Sequence, residues 1–141
     1  MLECIILGDS IAVGTQMFAK ECQLVGKGGI NTWQWNKMYP TQDLTAGVVI
    51  ISLGTNDHKY VKTTEELEKM RARVNSQRVF WVLPAGNLPA SELPLEKLQG
   101  MVRDIAAKNG DTVLPIRGLQ ADGIHPSWSG YKDIVARTKE Q

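Results

Sequence analysis

The chain has 141 residues, enough for one compact domain with a single sizeable core. Its 16 basic and 15 acidic residues nearly cancel, so charge gives no footprint for a nucleic-acid or anionic-membrane partner. A hydrophobic content of 43% excludes a disordered chain, and no apolar run approaches the length of a membrane-spanning helix.

The chain opens MLECIILGDSIAVG. It has no basic segment followed by a long apolar one, so it does not read as a signal peptide, and a cytoplasmic protein is expected. The apolar run 2–7 predicts a buried strand that stops at Gly8-Asp9-Ser10, and 11–21 predicts a helix. A short strand at 23–25 leads into the turn Gly26-Lys27-Gly28-Gly29-Ile30-Asn31, then a helix over 32–39 ended by Pro40. The third strand is 48–53. Thr63 and Glu66 have capping-box spacing and open a helix to about residue 74, with Leu67, Met70 and Val74 on one face. A fourth strand at 79–83 precedes an irregular stretch, 84–94. Leu95, Leu98, Val102, Ile105 and Ala106 mark the fourth helix, which Asn109-Gly110 stops. A fifth strand at 112–115 follows, and Pro126 opens a fifth helix with Tyr131, Ile134 and Val135 on one side.

The stronger strands are continuously apolar, which means burial on both faces, as in a parallel sheet covered by helices. Strand and helix alternate about five times, so residues 1–141 are expected to form one three-layer α/β domain with right-handed crossovers. Cys4 lies in the first strand and Cys22 near the end of the first helix. Both are expected to be buried free thiols, with a disulfide as the alternative that spacing alone does not settle. No Cys/His cluster has zinc-ligand spacing, and neither a Walker A loop, a G-x-G-x-x-G fingerprint nor a G-x-S-x-G elbow occurs. No metal or cofactor is expected.

Ligands of open parallel sheets bind beyond the carboxyl ends of the strands. The residues following the strands there include Ser10, the Gly28-Gly29 turn, Asn56, Asp57, Asp122 and His125. These are a hydroxyl, backbone donors, an amide, carboxylates and an imidazole, the parts of acyl transfer by a serine. Each has a plainer role as well. Ser10 suits a helix cap, the Gly pair and Asp122-Gly123 suit turns, Asn56-Asp57 suits an Asx-turn, and His125 suits an exposed helix start. Their joint placement at one sheet edge favours chemistry.

The residues resemble the SGNH (GDSL-type) hydrolases. Gly8-Asp9-Ser10 resembles the first block of that family, Gly28-Gly29-Ile30-Asn31-Thr32 the glycine block, Gly54-Thr55-Asn56-Asp57 the G-x-N-D block, and Asp122-Gly123-Ile124-His125-Pro126 the closing D-x-x-H-P block. The resemblance implies a flavodoxin-like sandwich with a five-stranded parallel sheet in the order 2-1-3-4-5. It implies a Ser10-His125-Asp122 triad that attacks an ester carbonyl. The oxyanion would be held by the Ser10 N–H, the Gly29 N–H and the Asn56 side chain, with Gly28 as the alternative glycine. His58 is the rival base, but His125 has a carboxylate nearby to orient it. Asp9, Trp33, Asp57 and Leu88 are expected at the substrate site, the two Asp residues as loop organisers. Trp33 and Trp35 are candidates to stack on a sugar ring, or to pack in the core. Trp81, Leu88 and Leu93 are candidates for an acyl pocket or for core. The expected partner is a small-molecule or carbohydrate ester, of acetyl type; longer acyl chains, or a catalytically silent module, are the alternatives.

Overall fold

The computed structural model describes residues 2–86 and 92–139. The elements in chain order are β1 (Leu2–Gly8), α1 (Ser10–Met17), β2 (Gln23–Gly26), α2 (Thr32–Met38), β3 (Leu44–Ser52) and α3 (Thr63–Arg71). They continue with β4 (Val74–Asn75), β5 (Arg78–Leu83), α4 (Leu95–Asn109), β6 (Thr112–Pro115) and α5 (Trp128–Thr138). Five strands form a parallel sheet in the order β2-β1-β3-β5-β6, and the two-residue β4 pairs with the start of β3 off this path. The main order is the expected one; the sixth strand is an addition.

Alternate residues of each strand face opposite sides, and both sides are buried. Ile5, Leu7, Val49, Ile51, Val79 and Trp81 point to a core completed by Trp35 of α2, Leu67 and Met70 of α3, and Val102 and Ile105 of α4. Ile6, Ile50, Phe80 and Val82 point to a second core, closed by Ile11 and Ala12 of α1 and Tyr131 and Ile134 of α5. The continuous apolar strands therefore reflect three layers. Burial of one such aliphatic side chain contributes about 1.5–3 kcal/mol relative to exposure.

Several boundaries differ from the sequence expectations. Helix α1 ends at Met17, and residues 18–22 turn back so that Cys22 meets Cys4 in a disulfide. The free thiols expected there are thus replaced by a covalent tie between β1 and the entry to β2. Strand β3 starts at Leu44, four residues earlier than its apolar run, because Leu44 and Thr45 find partners in β4. The Thr63–Glu66 capping box does not form, since Thr63 donates its hydroxyl to Asp57. A capping box forms instead on α2, between Asn31 and Gln34. Helix α5 starts at Trp128 with Ser127 as its cap, because Pro126 is held in an antiparallel bridge with Leu119.

At the carboxyl edge three strands close up around Gly8, which pairs with Gly26 on one side and Ser52 on the other. A Cβ on Gly8 would overlap the Ser52 carbonyl oxygen, and its φ of +142° is one that L side chains rarely adopt. The chain therefore leaves the sheet at glycine and turns directly into α1.

Candidate active site

Ser10 is the first residue of α1, so its backbone N–H has no partner within the helix. The helix cap is Asp9, whose Oδ1 accepts from the Ile11 N–H at 3.0 Å. With that job filled, the Ser10 hydroxyl is free to meet the His125 Nε2 at 2.8 Å. The other ring nitrogen of His125, Nδ1, lies 2.7 Å from Asp122 Oδ2. Serine, histidine and aspartate thus form one continuous hydrogen-bonded chain.

A single tight loop presents Asp122 and His125. Asp122 Oδ1 accepts from the Ile124 N–H at 2.8 Å and the His125 N–H at 3.0 Å, an Asx-type turn. The same loop is closed by Gln120 N–H to the His125 carbonyl and by Ser127 N–H to the Gly118 carbonyl. The Ile124 and His125 N–H groups, followed by the His125 ring, hold the Asp122 carboxyl down at about 2, so it is ionised at neutral pH. The loop after β5 packs against this one. A Cβ on Gly86 would overlap the Gly123 carbonyl oxygen, so the two loops touch backbone to backbone.

Asn56 follows β3 and donates its side-chain Nδ2 to the Ile30 carbonyl at 3.0 Å. An amide nitrogen carries two hydrogens, so one remains for a ligand. Gly28 and Gly29 occupy an exposed turn after β2. Gly29 has φ +81°, the conformation a type II turn reserves for glycine at its third position. Gly28 faces the serine: a Cβ there would stand 3.8 Å from Ser10 Cβ.

Asp57 joins these two loops from below. Its Oδ1 accepts from the Thr32 N–H at 2.8 Å, and its Oδ2 accepts from the Thr32 hydroxyl at 2.6 Å and the Thr63 hydroxyl at 2.7 Å. Burial pushes its carboxyl above the ordinary range, against these hydrogen bonds. Asp57 and Asp9 are both fully buried at 0% exposure, so neither lines a substrate surface. Asp9 lies beneath the serine. Burial raises its carboxyl from 3.8 to about 7, opposed by the Ile11 N–H and by the charge of His125. Its Oδ2 has no hydrogen-bond partner among the described residues.

The remaining sequence candidates fall apart by exposure. His58 accepts from the Tyr60 N–H through Nδ1 and stacks edge-on to the Tyr60 ring, so it serves its own loop and not Ser10. Trp33 is 50% exposed, whereas Trp35 is at 0%, with its Nε1 donating to the Val25 carbonyl. Trp81 and Leu93 are buried, and Leu88 lies outside the described residues. The sequence reads Thr63 as a helix cap and Thr32 as the end of the glycine block, and does not reveal that both hydroxyls donate to Asp57. Their signal is a threonine at the first helical position after each of two site loops, a position that a carboxylate from a neighbouring loop can reach.

A model of the GDSL-like lipase/acylhydrolase family matches residues 6–132. No curated protein matches the sequence. The fold is similar to that of a member of the lipolytic protein G-D-S-L family from Veillonella parvula, with TM-score 0.65 and 15% identity over 99% of this chain and 100% of that one. It is also similar to the catalytic domain of a peptidoglycan O-acetyltransferase from Streptococcus pneumoniae, with TM-score 0.68 and 17% identity over 96% and 91%. An aryl esterase from M. smegmatis gives TM-score 0.64 and 15% identity over 97% of each chain.

Proposed function

The chain belongs to the GDSL-like lipase/acylhydrolase family, and from that premise we propose that it is a serine esterase for acetyl-type esters, working through Ser10, His125 and Asp122. The observation that supports this most directly is the hydrogen-bonded chain from Ser10 Oγ through the His125 ring to Asp122, at 2.8 Å and 2.7 Å.

In this mechanism Ser10 Oγ attacks the ester carbonyl carbon while its proton passes to His125 Nε2. The carbonyl π electrons move to oxygen, and that oxyanion is met by the Ser10 N–H, the Gly29 N–H and the free Asn56 amide hydrogen. Loss of one such donor costs roughly two to three orders of magnitude in turnover. Collapse expels the alcohol oxygen, which takes the proton from His125. Water then attacks the acyl-serine with His125 again as base, releasing acid and free Ser10. Asp122 stays ionised throughout, keeps the proton on Nδ1 and balances the imidazolium.

Small acyl groups suit the site because two of the three side chains considered for an acyl pocket, Trp81 and Leu93, are spent in the core. A chain-length series of p-nitrophenyl esters tests this, with acetate expected to have the highest kcat/KM; a maximum at eight or more carbons would replace it with a long-chain hydrolase. A fluorophosphonate should label Ser10, and His125→Ala should abolish labelling whereas His58→Ala should not. The Cys4–Cys22 disulfide supports residence in an oxidising compartment, contrary to the cytoplasm expected from the opening residues. Thiol trapping of the protein in its native cells should find no free cysteine, and two free thiols would return it to the cytoplasm.

A further inference from the structure

Beside the proposed oxyanion donors runs a strip of surface that the triad does not use. One hollow, of about 550 Å³, is lined by Asn31, Trp33, Gln34, His58, Tyr60 and Lys62, among others. This volume lies within the range of small-molecule sites. A second hollow on the other flank of Trp33 is lined by Lys27, Lys37, Ile30 and Gln34. The strip is built from the same two loops as the proposed oxyanion donors. Asn31 lies two residues beyond Gly29, His58 lies two beyond Asn56, and Ile30 is the residue whose carbonyl holds the Asn56 amide.

The chemistry of the strip is uneven. Two rings of the strip are open to solvent, Trp33 at 50% and Tyr60 at 80%. Around them stand Lys27, Lys37 and Lys62, all exposed and none with an ion-pair partner among the described residues. Lys37 Nζ lies 5.6 Å from the centre of the Trp33 ring. Among the described residues, no carboxylate lines the second hollow. The one carboxylate lining the first, Glu66, is taken up by Asn36 Nδ2 at 2.8 Å and by Lys69 at 3.7 Å. The chain as a whole is nearly neutral, so this local excess of positive charge is not an overall bias.

Flat aromatic faces with polar rims suit pyranose rings, which offer an apolar C–H face and a girdle of hydroxyls. Unpaired ammonium groups suit carboxylates on those rings. We propose that the strip from Tyr60 across Trp33 to Lys27 binds the alcohol side of the ester, a glycan bearing carboxylates, so that the substrate is an O-acylated acidic polysaccharide. The proposal builds on the serine esterase reading, because it delivers the ester carbonyl to Ser10 and leaves the sugar hydroxyl as the departing group. It also assigns Trp33 and Lys37 a joint role in specificity: the ring takes the sugar face and the ammonium its carboxylate.

Calorimetric titration of the Ser10→Ala protein tests binding apart from chemistry. Trigalacturonate should bind roughly fivefold to tenfold more tightly than neutral cellotriose, the scale of three solvent-screened ion pairs. The advantage should vanish in Lys27→Ala/Lys37→Ala/Lys62→Ala, whose changes are all on the surface, and in high salt. Trp33→Ala should weaken both sugars. Equal binding of the two sugars, unaltered by the triple substitution, would overturn the proposal, as would no binding of either. Tighter binding of a thymidine oligonucleotide than of trigalacturonate would overturn it in favour of a phosphate polymer. Fluorophosphonate labelling of the wild-type protein reports separately on the esterase reading, so a failure of one is not mistaken for a failure of the other.

Discussion

At the scale of single residues, the two buried aspartates next to the site carry different burdens. Asp57 is satisfied by three donors, whereas Asp9 keeps one oxygen without a partner among the described residues. Burial raises Asp9 to about 7, so the folded protein holds a proton there that the unfolded chain releases above its ordinary carboxylate value of 3.8. Stability from this group is therefore fully present below about pH 4 and is lost as pH rises through about 7. Asp9→Asn keeps an acceptor oxygen for the Ile11 N–H and removes the titration. Between about pH 5 and about pH 8 the unfolding free energy of the wild type should fall by more than that of Asp9→Asn, measured by urea denaturation at both values. Parallel behaviour of the two proteins would show that Asp9 titrates elsewhere.

At the scale of elements, the loops that follow the strands hold the site, and that is why so much of it was legible. A serine, a glycine turn, an amide and an Asp/His pair each follow a strand, and a parallel sheet brings all such ends to one edge. Strands β1 and β5 were legible because their apolar runs are buried on both faces. The start of β3 was not, because Ala46 and Gly47 carry little β signal and the segment is held by pairing of Ala46 with β1 and of Leu44 and Thr45 with β4. Strand β4 has two residues and exists only through its neighbour. The caps went astray for a related reason. Thr63 has the local spacing of a cap, but a buried carboxylate from another loop outcompetes the helix for its hydroxyl. Gly86 lies in the irregular stretch 84–94 without a motif of its own, and its role depends on a contact with the Asp122–His125 loop. Gly86→Ala should displace that loop and slow fluorophosphonate labelling of Ser10 by roughly tenfold or more, since a 1 Å misplacement in a site costs about two orders of magnitude. Labelling at the wild-type rate would mean that the loop yields without moving His125.

At the scale of the whole molecule, the Cys4–Cys22 disulfide is the one covalent tie, and no spacing rule could have set it apart from two buried thiols. It closes a loop with a sequence separation of 18 residues, at the opposite end of β1 from Ser10. A loop of that length constrains the unfolded chain by about 3 kcal/mol. Reduction should lower the unfolding free energy by roughly that amount while esterase activity at moderate temperature survives, because the tie lies away from the triad. Denaturant midpoints and p-nitrophenyl acetate rates with and without reductant check both halves; activity lost in step with reduction of a still-folded protein would make the tie part of the site.

The hydrogen bond between Ser10 and His125 joins residues 115 positions apart. A chain made from its N-terminus therefore carries the proposed nucleophile long before the proposed base. On that reading, Ser10 is an ordinary hydroxyl at the start of a helix until the loop that carries His125 has been made and has docked. The order of the residues along the chain would then keep a half-made protein from acylating itself on cellular esters.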